Sequence, residues 1–234
     1  DTRQLSYAYN GLGNTWNAQM ELDSAFSTHK KALQYARAND DSLLISNSLY
    51  NIGLCEMKNH RFEIALEWYE EAQKWRKQLG EKDKLAHGYR GIGALYIEMG
   101  NFHKALENNL KALKLYEELD NTIGRAHTHM NIGVNYYTFD QPEEALNQMF
   151  LALPLYESVN ATNNLTRLRH NIASVQMSKG DYRNTIQTHL EGIKIHEQSG
   201  DRVMLQVTYV SLGNTFKHIG ETENAIKYYK LGIE

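Results

Sequence analysis

The chain has 234 residues, 41% hydrophobic and 23% charged, with a formal net charge of −3. That balance supplies no basic field for nucleic acid, and no apolar run reaches the roughly 18–20 residues that span a bilayer. A single cysteine, Cys55, excludes an internal disulfide framework and a multi-cysteine zinc site.

Taken in chain order, six segments repeat one pattern: 1–40, 41–80, 81–120, 121–160, 161–200 and 201–234. Early in each comes a short motif with a small third residue, at Gly13, Gly53, Gly93, Gly133, Ala173 and Gly213. A second row follows in phase at Ala25, Ala65, Ala105, Ala145, Thr185 and Ala225. A third is Ala32, Ala72, Ala112, Ala152, Gly192 and Gly232. Self-similarity at a fixed period marks a repeat array, in which neighbouring units bury each other's apolar faces.

Each segment reads as two helices. In the third, Ile92, Gly93, Tyr96 and Ile97 make one stripe at helical spacing, and Phe102, Ala105, Leu106, Leu113 and Tyr116 make another. Gly100-Asn101 is the turn between them. Asp40, Gly80, Asp120, Asn160 and Gly200 fall where one repeat ends, and these residue types tolerate the left-handed conformation that closes a helix. Asp41, Asn121 and Asp201 then stand as N-caps of the following helices. The small rows predict close approach of the two helices in a hairpin, with Trp16, Tyr96, Tyr136 and Phe216 filling the space beside them.

Some positions break the rows. Glu56 and Gln176 interrupt the aromatic one, and Thr185 replaces an alanine. Gly192 and Gly232 each weaken a helix by up to about 1 kcal/mol. Pro154 predicts a kink in the fourth hairpin, whereas Pro142 sits at a helix start, where proline is tolerated. His29 and His189 align with Tyr69 and Tyr229 and read as packing substitutes.

This pattern resembles the tetratricopeptide repeat (TPR) family in a 40-residue variant. It is similar to arrays of kinesin light chain, of Pins-type adaptors and of bacterial signalling regulators of the Rap type. The resemblance implies an all-α fold, a right-handed α-solenoid of about six TPR helical hairpins forming a single array over 1–234. It also implies that the first helix of each hairpin lines a concave binding face. The expected partner-binding residues are then Asn51, Asn131 and Asn171 in one repeating row. With them come Tyr50, Met57, Ile97, Met130, Tyr137 and Met177, and the cationic or titratable His87, Arg90, His127, Arg167 and His170. Asparagine amides donate and accept, so they suit the backbone of an extended peptide; methionine and tyrosine adapt to varied partners. The basic groups favour an acidic group on the partner.

Two further readings of these residues stay open. The asparagine row also suits bonds between neighbouring helices, and the apolar set also suits packing between repeats. The histidines lack the carboxylate or thiolate company of a metal site. The carboxylate clamp of chaperone-binding arrays is not matched, since the relevant columns hold Asn10, Asn14, His87 and Gly91.

The expected function is a protein- or peptide-binding module in a larger bacterial signalling or regulatory protein. The alternatives are a self-associating scaffold and a small-ligand sensor. Neither catalysis nor a cofactor is expected. The sequence opens at Asp1 without Met, so a leader removed from its front would decide between cytoplasm and periplasm. Neither end carries an atypical capping repeat, which predicts homo-association through uncapped ends and an exposed apolar face near Ile226, Tyr229 and Ile233.

Overall fold

The computed structural model describes residues 2–233, and all twelve regular elements among them are α-helices. Contacts divide the chain into two units, Asp1–Gly124 and Arg125–Glu234. The first unit holds three hairpins: α1 (Thr2–Ala18) with α2 (Leu22–Ala38), α3 (Ser42–Lys58) with α4 (Phe62–Leu79), and α5 (Lys82–Glu98) with α6 (Phe102–Glu118). The second holds α7 (Thr122–Thr138), whose first turn straddles the boundary, α8 (Pro142–Ser158), α9 (Thr162–Ser178), α10 (Tyr182–Ser199), α11 (Arg202–His218) and α12 (Thr222–Leu231).

Helix ends follow the chemistry of the residues there. Asp40, Gly80, Asp120, Asn160 and Gly200 all have positive φ, between 50° and 71°. At the first, Asp41 N–H donates to the Ala36 carbonyl (3.1 Å) and Asp40 N–H to that of Arg37 (3.2 Å), the paired bonds that satisfy a helix's last carbonyls. The Asp41 carboxylate then accepts from Leu44 N–H at 3.0 Å and caps α3. Asn121 caps α7 through Gly124 N–H (2.8 Å), and Asp201 caps α11 through Met204 N–H (3.0 Å). One two-residue step thus ends a helix and starts the next.

The small rows make the hairpins tight. A Cβ added to Gly53 would lie 2.8 Å from the Tyr69 ring, and one on Gly213 2.8 Å from Tyr229. The alanines at 25, 32, 65, 72, 105, 112, 145 and 152 are fully buried. His29 occupies the place of Tyr69, and its imidazole is pushed down to about 4 by burial.

The breaks in the rows have local answers. Glu56, 3% exposed, is paired with Arg61 at 3.2 Å. Gln176 accepts from Thr188 Oγ1 at 2.8 Å, and the buried Thr185 hydroxyl donates to the Asp181 carbonyl at 2.8 Å. Pro142 is the first residue of α8, and that helix continues through the exposed Pro154 to Ser158. Ile226 on α12 and Ile233 just past its end are exposed as expected. Tyr229 is not: its ring covers Gly213 and its hydroxyl donates to Asn214 Oδ1 at 2.7 Å, because its column faces the partner helix of its own hairpin.

Candidate functional site

In the first unit, α1, α3 and α5 surround a cavity of about 300 Å³. Asn47, Tyr50, Asn51 and His87 line it, together with Tyr7, Asn14 and, from the second helix of a hairpin, Arg76. Tyr50 anchors the wall. Its ring centroid is 4.9 Å from that of Tyr69 and 4.8 Å from that of His87, and the Arg76 guanidinium lies 4.6 Å from it. Burial pushes the Tyr50 phenol up, so it remains a neutral hydroxyl. Asn51 donates to Asn10 Oδ1 at 3.4 Å, a long bond that leaves its carbonyl oxygen to other partners. Asn10 itself is buried, donating to Ser48 Oγ at 2.9 Å and meeting His29 Nδ1 at 3.1 Å. Arg90 is half-buried on α5 beside Tyr50 and Tyr116, where its charge opposes the upward push of burial on both phenols.

The apolar part of the expected face behaves differently. Met57 and Ile97 are half-buried against the cluster of Ala65, Tyr69, Ile92 and Leu95, and Tyr69 Oη donates to Met57 Sδ at 3.9 Å. In the second unit Met130 is a correction: it is 5% exposed, with the Tyr156 hydroxyl on its sulfur at 3.9 Å. Position 130 turns toward the packing seam, so Met130 cannot meet a partner. Met57 and Ile97 keep part of their surface exposed, whereas Met130 does not.

The other residues of the second unit fall in two groups. His127 receives the Asn164 amide at 2.8 Å on Nε2 and lies edge-on to Tyr156. Asn131 and Asn171 are half-buried, and among the described residues neither side-chain amide has a hydrogen-bond partner. Tyr137 is exposed and Met177 half-buried. Arg167 and His170 line a cavity of about 460 Å³ between α9 and α11, with Asn163, Thr166, Asp201, Met204 and Val207. Asp201 is already engaged in capping α11, and Arg167 has no ion pair among the described residues. Periodicity did not point to Asn163, Met204 or Arg76 as lining residues. Arg76 carried one signal: it is a charge in the buried column of Ala36, Tyr116, Tyr156 and His196.

Cys55 is buried, and burial pushes its thiol up, away from the thiolate that nucleophilic chemistry needs. Asn17 separates it from His29: the amide nitrogen is 3.5 Å from the sulfur and 3.4 Å from His29 Nε2. Among the described residues no three His, Cys, Asp or Glu side chains are placed to hold a metal, and no helix is long and apolar enough to cross a membrane.

Antiparallel hairpins in 40-residue register, closed by small residues and carrying polar faces on their first helices, define an α-helical repeat protein. The chain belongs to the tetratricopeptide repeat family. One family model for that repeat matches residues 44–118 and 84–158, and a second matches 207–234. Comparison with curated proteins gives no match in sequence. Among solved structures, the chain is similar to BtubC (BKLC) from P. vanneervenii, at 20% identity and a TM-score of 0.79, covering 90% of this chain and 89% of that one. It is also similar to a Rap protein complexed with competence and sporulation factor, at 14% identity and a TM-score of 0.78, covering 97% and 74%. A third is the Rap conjugation gene regulator of the plasmid pLS20 in complex with the Phr* peptide, at 19% identity and a TM-score of 0.67, covering 99% and 74%. At these identities the likeness is one of fold.

Proposed function

We propose that the chain is a peptide-binding module of a bacterial regulatory protein, without catalytic activity of its own, and that its partner is an extended segment bearing an acidic group. One observation carries the reading: Arg167 and His170 stand unpaired by carboxylates at the mouth of the α9/α11 cavity, beside the apolar Met204 and Val207. Such a surface offers charge for an acidic side chain and an apolar floor for its neighbour. On the same helix, the Asn171 amide is half-buried without a partner among the described residues and suits a peptide group. Asn51, Tyr50 and His87 give the first unit a contact surface of its own. The two Rap structures, one holding a factor and one a peptide, support this reading by analogy of fold.

Selection of a displayed random-peptide library on the full chain should enrich sequences containing Asp or Glu. A selected peptide should lose about tenfold or more in affinity when Arg167 and His170 are both replaced by Ala, with helical circular dichroism unchanged. Equal affinity in that variant, or no peptide that titrates, would sink the proposal. Association of copies through α12 is a second reading, favoured by the exposed Ile226 and Ile233; a strict monomer in sedimentation would exclude it.

A further inference from the structure

Arg76 is 2% exposed, a cation buried in a column otherwise filled by Ala36, Tyr116, Tyr156 and His196. Other sheltered charges meet carboxylates, although among the described residues the half-buried Arg90 beside Tyr50 and Tyr116 does not. Arg169 lies between Glu157 (3.4 Å) and Glu191 (2.6 Å), and Glu56 meets Arg61. Arg76 has no such carboxylate. Its titratable neighbours are Tyr50, Tyr116 and Tyr69, all neutral near pH 7. Nη1 donates to the Lys84 carbonyl at 3.1 Å, one face of the guanidinium rests on Tyr50, and Nε is buried without a partner. A carbonyl and a ring offset part of the cost of burying a cation, but they do not cancel its charge.

The surroundings hold this side chain in place. A Cβ on Gly88 would collide with the Gln73 amide and come 2.7 Å from Arg76 Nη1, so the glycine keeps room for both side chains between α4 and α5. Arg76 lines the cavity of about 300 Å³ in the first unit, where Lys84 and His87 stand on the same wall and Asn47 and Asn51 on another. Lys84 has no ion pair among the described residues. The one carboxylate at this cavity, Asp83, accepts from the Asn121 amide at 2.8 Å.

We infer that this cavity is an oxyanion site, in which a carboxylate or phosphate group is held by Arg76 as buried counter-charge, by Lys84 at the rim and by the amide of Asn47. Arginine supplies planar, paired donors to such groups, and a desolvated cation attracts an anion more strongly than an exposed one. The inference goes beyond peptide capture at α9/α11 and does not depend on it.

The test uses small anions on the full chain. Inorganic phosphate and succinate are titrated separately, followed by calorimetry and by thermal stabilisation, with chloride at equal ionic strength as control. Saturable binding of either anion is expected at millimolar concentration. Affinity should fall about tenfold or more in Arg76→Met and about threefold in Lys84→Gln. A preference for phosphate would identify a phosphorylated ligand, and a preference for succinate a carboxylate one. Responses to both anions no larger than to chloride would overturn the site. So would unchanged affinity in Lys84→Gln, an exposed change that keeps the test decisive if Arg76→Met fails to fold. Loss of peptide binding in the Arg167/His170 variant with these anion affinities intact would separate the two proposals.

Discussion

Replacing Gly192 by Ala should stabilise the protein. Gly192 lies inside α10, in the row that holds fully buried alanines at 32, 72, 112 and 152. An added Cβ would have Thr208 Cγ2 at 3.6 Å and His196 Nε2 at 4.0 Å, both ordinary contacts, next to a void of about 20 Å³. Glycine in a helix interior costs about 1 kcal/mol relative to alanine, and burying one more methyl adds up to about 0.8 kcal/mol. The expected gain is therefore about 1–1.5 kcal/mol. Gly213→Ala is the matched control, because its Cβ would press 2.8 Å from the Tyr229 ring. It should cost about 1–3 kcal/mol through forced displacement of the ring. Urea denaturation of both variants, read by helical circular dichroism, compares the two signs at identical chemistry. Midpoints are the quantity to compare, since arrays of this type need not unfold in one step. If Gly192→Ala lowers the midpoint, or both variants move it the same way, the spacing argument fails.

Asn109 is fully buried with neither amide atom partnered, in the place that Met149 takes one repeat later. Asn109→Met should raise stability by about 1–2 kcal/mol in the same urea assay, and a loss would mean that the amide is satisfied in solution. His29 and His189 are held at about 4 by burial, against an ordinary value of 6.5. Between those values the unfolded chain binds more protons, so stability should fall as pH drops from about 6.5 to about 4, by at most about 3 kcal/mol per histidine. His29→Tyr, which copies Tyr69, should flatten that fall; an equally steep pH profile in the variant would refute the assignment.

The boundaries were legible because residue type decides them. Asp40, Gly80, Asp120, Asn160 and Gly200 are residues that accept positive φ, and all five adopt it. The turns inside the hairpins were less legible. Met20 takes the same conformation, at 63°, without any preference for it, because the short connection between two packed helices imposes it. At the candidate site, the expected residues Tyr50, Asn51 and His87 converge on one cavity, and Asn47 joins them from one turn earlier on α3. Met130 does not, since one step around a helix is enough to move a side chain from groove to seam. Arg76 sits on the second helix of its hairpin, outside the first-helix faces that the family resemblance assigns to the groove.

The contacts between small and large residues differ in reach. Gly53 with Tyr69, Gly133 with Met149, and Gly213 with Tyr229 each join the two helices of one hairpin. Gly88 with Arg76 joins consecutive hairpins. A hairpin moved by duplication or recombination carries the first kind of fit along intact, whereas the second must be inherited as a pair. Each hairpin thus carries its internal fit with it, whereas the segment from α4 to α5 travels as a linked block, and any chimera that divides it strands a charge.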